Sequence, residues 1–130
     1  MERVNGIGGV FFRAENPDLL SKWYATHLGV EEPPASYEIC SWWQQEGATV
    51  FAPMGAESEH LFGGPSRGWS INFRVSDLDA MVAQLTAAGI AVEMDPESYP
   101  NGRFASLLDP EGNAIQLWQP DGADARGPQR

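Results

Sequence analysis

The segment LDPEGNAIQLWQP (residues 108–120) reads as a tight turn feeding a short strand, with Gln116 at the strand's centre. An amide there offers two donors and an acceptor to a ligand without needing a counter-charge; its alternative use is a hydrogen bond to a side chain of a neighbouring strand. Two arginines recur in matching settings, Phe12-Arg13-Ala14 and Phe73-Arg74-Val75, at an offset of 61. Their guanidinium groups suit a carboxylate or phosphate, or they pair with Glu15, Glu38 or Asp77 and only hold structure. Trp42 or Trp43, Trp69 and Trp118, from a complement of five, fall on or beside predicted strands. Aromatic walls of this kind bind flat or cationic ligands, or else fill a core or a dimer interface.

Acid–base and nucleophilic chemistry has fewer sources. His27 and His60 are the only histidines. His27 falls late in a predicted helix, where it complements the helix dipole. His60 lies in the loop ESEHLFGG beside Glu57 and Glu59, which read as solvated charges; a loop flanking a cavity would let it act as acid, base or substitute ligand. Cys40, the single cysteine, excludes an internal disulfide and a cysteine-based metal cluster, and is expected to be buried in a strand. GIGG (6–9) lacks the helix and glycine spacing of a phosphate loop. No catalytic residue is assigned.

The chain around these residues is one domain in size, 130 residues with 42% hydrophobic, 14 Gly and 10 Pro, and no apolar run approaches the roughly 20 residues of a membrane span. The start MERVNGIGGVFF does not read as a secretory signal, so a cytoplasmic protein is expected. A net charge of −10 with eight Lys and Arg argues against nucleic acid, whose phosphates need clustered basic residues. The expected partner is a small organic molecule.

Strand composition over 6–14 is followed by a helix in NPDLLSKWYATHLGV, capped by Asn16 with Pro17 in the first turn and Gly29 as the stop. SYEICSWWQQ and ATVFAPM, separated by Glu46-Gly47, predict a hairpin. The order then repeats: WSINFRV as a strand, SDLDAMVAQLTAAGI as a helix with a capping box at Ser76 and Asp79 and a stop at Gly89, and AVEM, RFASLLD and NAIQLWQ as strands. Leu28-Gly29-Val30 recurs as Ala88-Gly89-Ile90, at an offset of 60. The fold class is therefore α+β, with two paired βαβββ modules forming a cupped mixed sheet. They make a single domain over 1–120, module one at about 6–55 and module two at about 67–120, with a disordered tail over 121–130. Each module alone is too small to cover its own sheet.

Alternation assigns the faces. Ile71, Phe73 and Val75 share one face of their strand and Ser70, Asn72 and Arg74 the other. Ile115 and Leu117 go to the core, leaving Ala114, Gln116 and Trp118 on the cavity side. By the repeat offset Gly9, Phe11 and Arg13 line the cavity, and Val10 and Phe12 lie under the first helix.

WYATHLGV, INFRVSDLDAMVAQLTAAGI and GRFASLLDPEGNAIQLWQP together resemble the vicinal oxygen chelate superfamily, which includes glyoxalase I, extradiol dioxygenases and fosfomycin- and bleomycin-resistance proteins. The likeness covers about residues 7–120. It implies a glyoxalase/bleomycin-resistance-like fold, and in the metal-dependent members a divalent cation held at four strand positions. Here those positions carry Gly9, Phe51, Ser70 and Gln116: no donor atom, no donor atom, and two weak neutral oxygens. The expectation is a metal-free cavity with no cofactor, lined by Phe11, Arg13, Trp42, Phe51, Ser70, Asn72, Arg74, Gln116 and Trp118, in a homodimeric small-molecule-binding protein. The alternative is a metal-dependent lyase, isomerase or dioxygenase, which would bring a divalent metal with it.

Overall fold

The structure, a computed structural model, describes residues 1–58 and 68–128. Helix α1 (Pro17–Leu28) begins where Asn16 caps it, its Oδ1 accepting from Leu19 N at 3.2 Å, and ends at Gly29 with φ 73°. Helix α2 (Leu78–Ala87) is capped by Asp77 rather than by Ser76. Asp77 Oδ1 accepts from Ala80 N at 3.0 Å. Asp79 does not fold back as a capping-box partner because its carboxylate meets the Arg103 guanidinium at 2.9 and 3.1 Å.

Strands β1 (Ile71–Arg74), β2 (Glu93–Met94), β3 (Gly102–Leu108) and β4 (Ala114–Pro120) form one mixed sheet in the order β1-β4-β3-β2, and the sheet is not closed. β1 runs parallel to β4, and the other pairings are antiparallel. Ala105, Leu107, Ile115 and Leu117 form the apolar face, flanked by Ile71, Phe73 and Val75. Leu20 and Tyr24 of α1 and Leu78 and Leu85 of α2 cover it, so both helices lie on one side and the opposite face is open. This α+β arrangement is the fold class expected, and β1-α2-β2-β3-β4 is a complete βαβββ unit.

The first half differs element by element. No strand forms at 6–14, 36–45 or 48–54. Val10 and Phe12 lie outside the core instead of under α1, and the Phe12 ring meets Trp69 at 5.1 Å. Cys40 is exposed, not buried. The physical reason is competition for α1: its apolar stripe packs on the second-half sheet, so the first-half strands have no covered face to gain, and an extended segment without one keeps its backbone in water. The tail is a second correction. A helical turn, α3 (Ala123–Arg126), forms there because Asp121 N donates to Asn101 O at 3.0 Å and ties the segment to the preceding turn.

The Asp109–Asn113 turn fastens α1 to the sheet. Buried Asp109 accepts from Glu111 N (2.8 Å), Asn113 N (3.0 Å), Asn113 Nδ2 (2.8 Å) and Tyr24 Oη (2.7 Å). Glu111 in turn accepts from Glu15 N and Asn16 N at 2.7 and 3.1 Å, at the start of α1. Burial, and then the Asp109 hydrogen bond, push the Tyr24 phenol well above its ordinary range. Tyr24→Phe is expected to cost about 1–3 kcal/mol near neutrality, since it removes one partner of a buried carboxylate. Above about pH 10 the unfolded tyrosine ionises while the folded one stays neutral, so this contribution declines as pH rises. Urea unfolding at pH 8 and pH 11 should show the gap between wild type and variant narrowing; a gap that widens would refute the assignment.

Candidate functional site

Strand register lays the open face out in rows. Ser106, Gln116 and Asn72 are neighbours across β3, β4 and β1; Phe104, Trp118 and Arg74 form the next row; Leu108 and Ala114 border the other side. Asn72 Nδ2 donates to Gln116 Oε1 at 2.7 Å. Gln116 thus has the cross-strand partner considered above as its alternative use, and the pair still stands at the surface of the open face with hydrogen-bonding capacity left over.

In the second row the Phe104 and Trp118 rings are parallel, 2° between planes with centroids 6.3 Å apart, and Tyr99 meets Phe104 edge-on at 5.8 Å. Trp118 is only 4% exposed, and its Nε1 donates to Asn101 O at 2.8 Å. It is a wall beneath Phe104 with no free indole donor. Tyr99 Oη donates to Asp95 Oδ2 at 2.9 Å, and that hydrogen bond leads the causes that raise its pKa. Arg74 reaches toward the first half: its Nη2 donates to Gln45 O at 3.1 Å, and the guanidinium packs so close to Gly47 that a side chain there would collide with it.

Asn72, Arg74, Gln116 and Trp118 therefore share a face, as alternation requires, with Ser70 half-buried just before β1. Phe11 is 95% exposed with its ring folded over Gly9, and Phe51 is 81% exposed. Trp42 stands partly exposed three residues before Gln45. Arg13 lies at the turn end of the sheet, in an open depression of about 540 Å³ lined by Ala14, Glu15, Pro110, Glu111 and Asn113. Among the described residues neither Arg13 nor Arg74 forms an ion pair. His27 packs against the Trp23 ring at 5.4 Å, and His60 and Glu59 lie outside the described residues. Phe104, Ser106 and Leu108 were missed, although the alternation in RFASLLD that buries Ala105 and Leu107 points them to the same face as Gln116.

As ligands for a divalent metal, the four family positions fit poorly. Gly9 and Phe51 have no donor, Ser70 is a neutral hydroxyl, and the Gln116 oxygen already accepts from Asn72. Among the described residues no three His, Cys, Asp or Glu side chains gather as a ligand set.

The model of the glyoxalase-like domain family matches residues 9–118. This chain belongs to that family. The glyoxalase-like domain is 32% identical over 122 residues to CFP32 of Mycobacterium bovis, whose given name is that of a glyoxylase, covering 90% of this chain but 46% of the relative; it thus spans about half the length of that protein. Among solved structures it is similar to TnmS3, an antibiotic binding protein from Streptomyces sp. CB03234, at 28% identity and a TM-score of 0.51 over 82% of this chain and 88% of the other. A glyoxalase family protein from Bacillus anthracis shares the fold at 20% identity, with a TM-score of 0.52 over 92% of this chain and all of the other. No helix among the described residues of the glyoxalase-like domain is long and apolar enough to cross a membrane.

Proposed function

We propose that this domain binds a small organic molecule on the open face of its sheet, without a metal or other cofactor, as a homodimer in the cytoplasm. The observation that carries the reading is the hydrogen-bonded amide pair Asn72–Gln116, with Gln116 at a strand position that the superfamily resemblance implies for a metal ligand in its metal-dependent members. Neutral amides beside Phe104 and Leu108 suit an uncharged organic surface. Ser106 extends the polar row, Arg74 and Ser70 stand in the rows beside it, and Phe11, Arg13, Trp42 and Phe51 are the proposed contributors from the first half. The likeness to an antibiotic binding protein supports ligand capture over turnover. Solvent-facing Val10, Ile39, Trp43 and Val50 support burial against a second copy.

One measurement bears on both metal and assembly. Native mass spectrometry of the purified protein should give a dimer mass with well under one metal ion per chain, and chelator should leave the melting temperature unchanged. A near-stoichiometric metal whose removal lowers the melting temperature would overturn the binding reading in favour of a metal-dependent lyase, isomerase or dioxygenase. A monomer at micromolar concentration would overturn the dimer.

A further inference from the structure

The chemistry of the amide pair narrows the ligand, on the premise that the open face binds a small molecule at all. With Asn72 Nδ2 donating to Gln116 Oε1, the Gln116 NH2 and the Asn72 carbonyl are left facing out side by side. Turning both amides end for end preserves the pattern, because the pair then shows the Asn72 NH2 beside the Gln116 carbonyl. Whichever way the amides are set, one donor and one acceptor are left over, side by side on adjacent strands of the open face. Ser106 extends the row on β3. The flanking rows, each about 7 Å away along the strands, are apolar on β3 and β4, with exposed Leu108 and Ala114 on one side and Phe104 and Trp118 on the other, and end in polar Ser70 and Arg74 on the β1 side.

We propose that the site selects a planar ring system carrying a hydrogen-bond acceptor and a donor next to each other on one edge, as a lactam does. The ligand carbonyl accepts from the free amide NH2, its N–H donates to the free amide carbonyl, and the ring lies against Phe104 and Leu108. A ring with only acceptors leaves the protein carbonyl desolvated and unpaired, and that penalty is the source of selectivity.

Fluorescence and calorimetric titration of the full chain with matched probes tests this: 2-quinolinone against N-methyl-2-quinolinone, and 1-isoquinolinone against N-methyl-1-isoquinolinone. The N–H probes should bind at least about tenfold tighter than their methylated counterparts. In the double variant Asn72→Leu/Gln116→Leu, which leaves neither amide on the face, that difference should vanish. Asn72→Ala/Gln116→Ala serves as the second variant should the leucines disturb folding as judged by circular dichroism. Equal affinity for methylated and unmethylated probes would overturn the donor–acceptor assignment while leaving the binding function standing. Discrimination that persists in both double variants would overturn it as well, since the acceptor would then lie elsewhere. Failure of all four probes to saturate would overturn the assignment and the binding function together.

Discussion

Truncating Leu117 to alanine is expected to cost about 3–5 kcal/mol of stability, while truncating its neighbour Gln116 costs less than about 1 kcal/mol. Leu117 is fully buried, packed in the core that both helices cover. Gln116 points the other way, and its one hydrogen bond, to Asn72, can be replaced by water. Small domains hold only about 5–15 kcal/mol in all, so Leu117→Ala should move the urea midpoint far to the left. Gln116→Ala should leave that midpoint almost in place and instead weaken binding of a donor–acceptor ring. Similar costs for the two variants would mean that the strand is shifted by one residue, because a one-residue slip exchanges the two faces.

Gly102→Ala should be comparably severe for a different reason. Gly102 opens β3 at φ 136°, a conformation that a side chain rarely adopts, and it is buried where an added methyl would run into the Gln119 carbonyl oxygen and the Trp118 indole nitrogen. Both obstacles belong to β4, which is held by the sheet and by the Trp118–Asn101 hydrogen bond, so neither moves without breaking register. A cost of about 4 kcal/mol or more is expected, with a change in tryptophan fluorescence in whatever fraction stays folded. Gly29→Ala and Gly89→Ala are the controls. Their φ values of 73° and 82° are also left-handed, but an added Cβ would meet nothing within 4 Å at either position, so each should cost only the roughly 1–2 kcal/mol of the backbone conformation itself. Equal losses at all three glycines would show that close packing at Gly102 contributes nothing.

These contrasts also show how far local signals carry. Asn16, Pro17 and Gly29 placed α1, and Gly89 closed α2, because caps and stops are decided by hydrogen bonds within a few residues. Period-two alternation placed Phe73, Ile115 and Leu117 under the helices and Asn72, Arg74 and Gln116 on the open face, because a strand with one covered face has a single register that buries its apolar set. The DPEGN turn was legible as a turn, and with its flanking strand it carried the family resemblance.

Other features depended on partners far along the chain. Asp79 looked like a cap residue until Arg103, 24 positions on, took its carboxylate. Trp118 lies on the face alternation assigns it, while its ring partner Phe104 and its acceptor, the Asn101 carbonyl 17 positions back, are set by the fold. Arg13 and Arg74 match in sequence yet sit apart in role, one at the turn end of the sheet and one against Gln45 and Gly47. The segments 6–14, 36–45 and 48–54 have strand composition, but composition states only that a face is available for burial. Whether it is buried depends on what covers it, and α1 is engaged by the second-half sheet through Leu20 and Tyr24. Composition and period are local properties and were readable in the chain; the choice among competing partners for one apolar stripe is a property of the packed molecule, decided only by the tertiary structure.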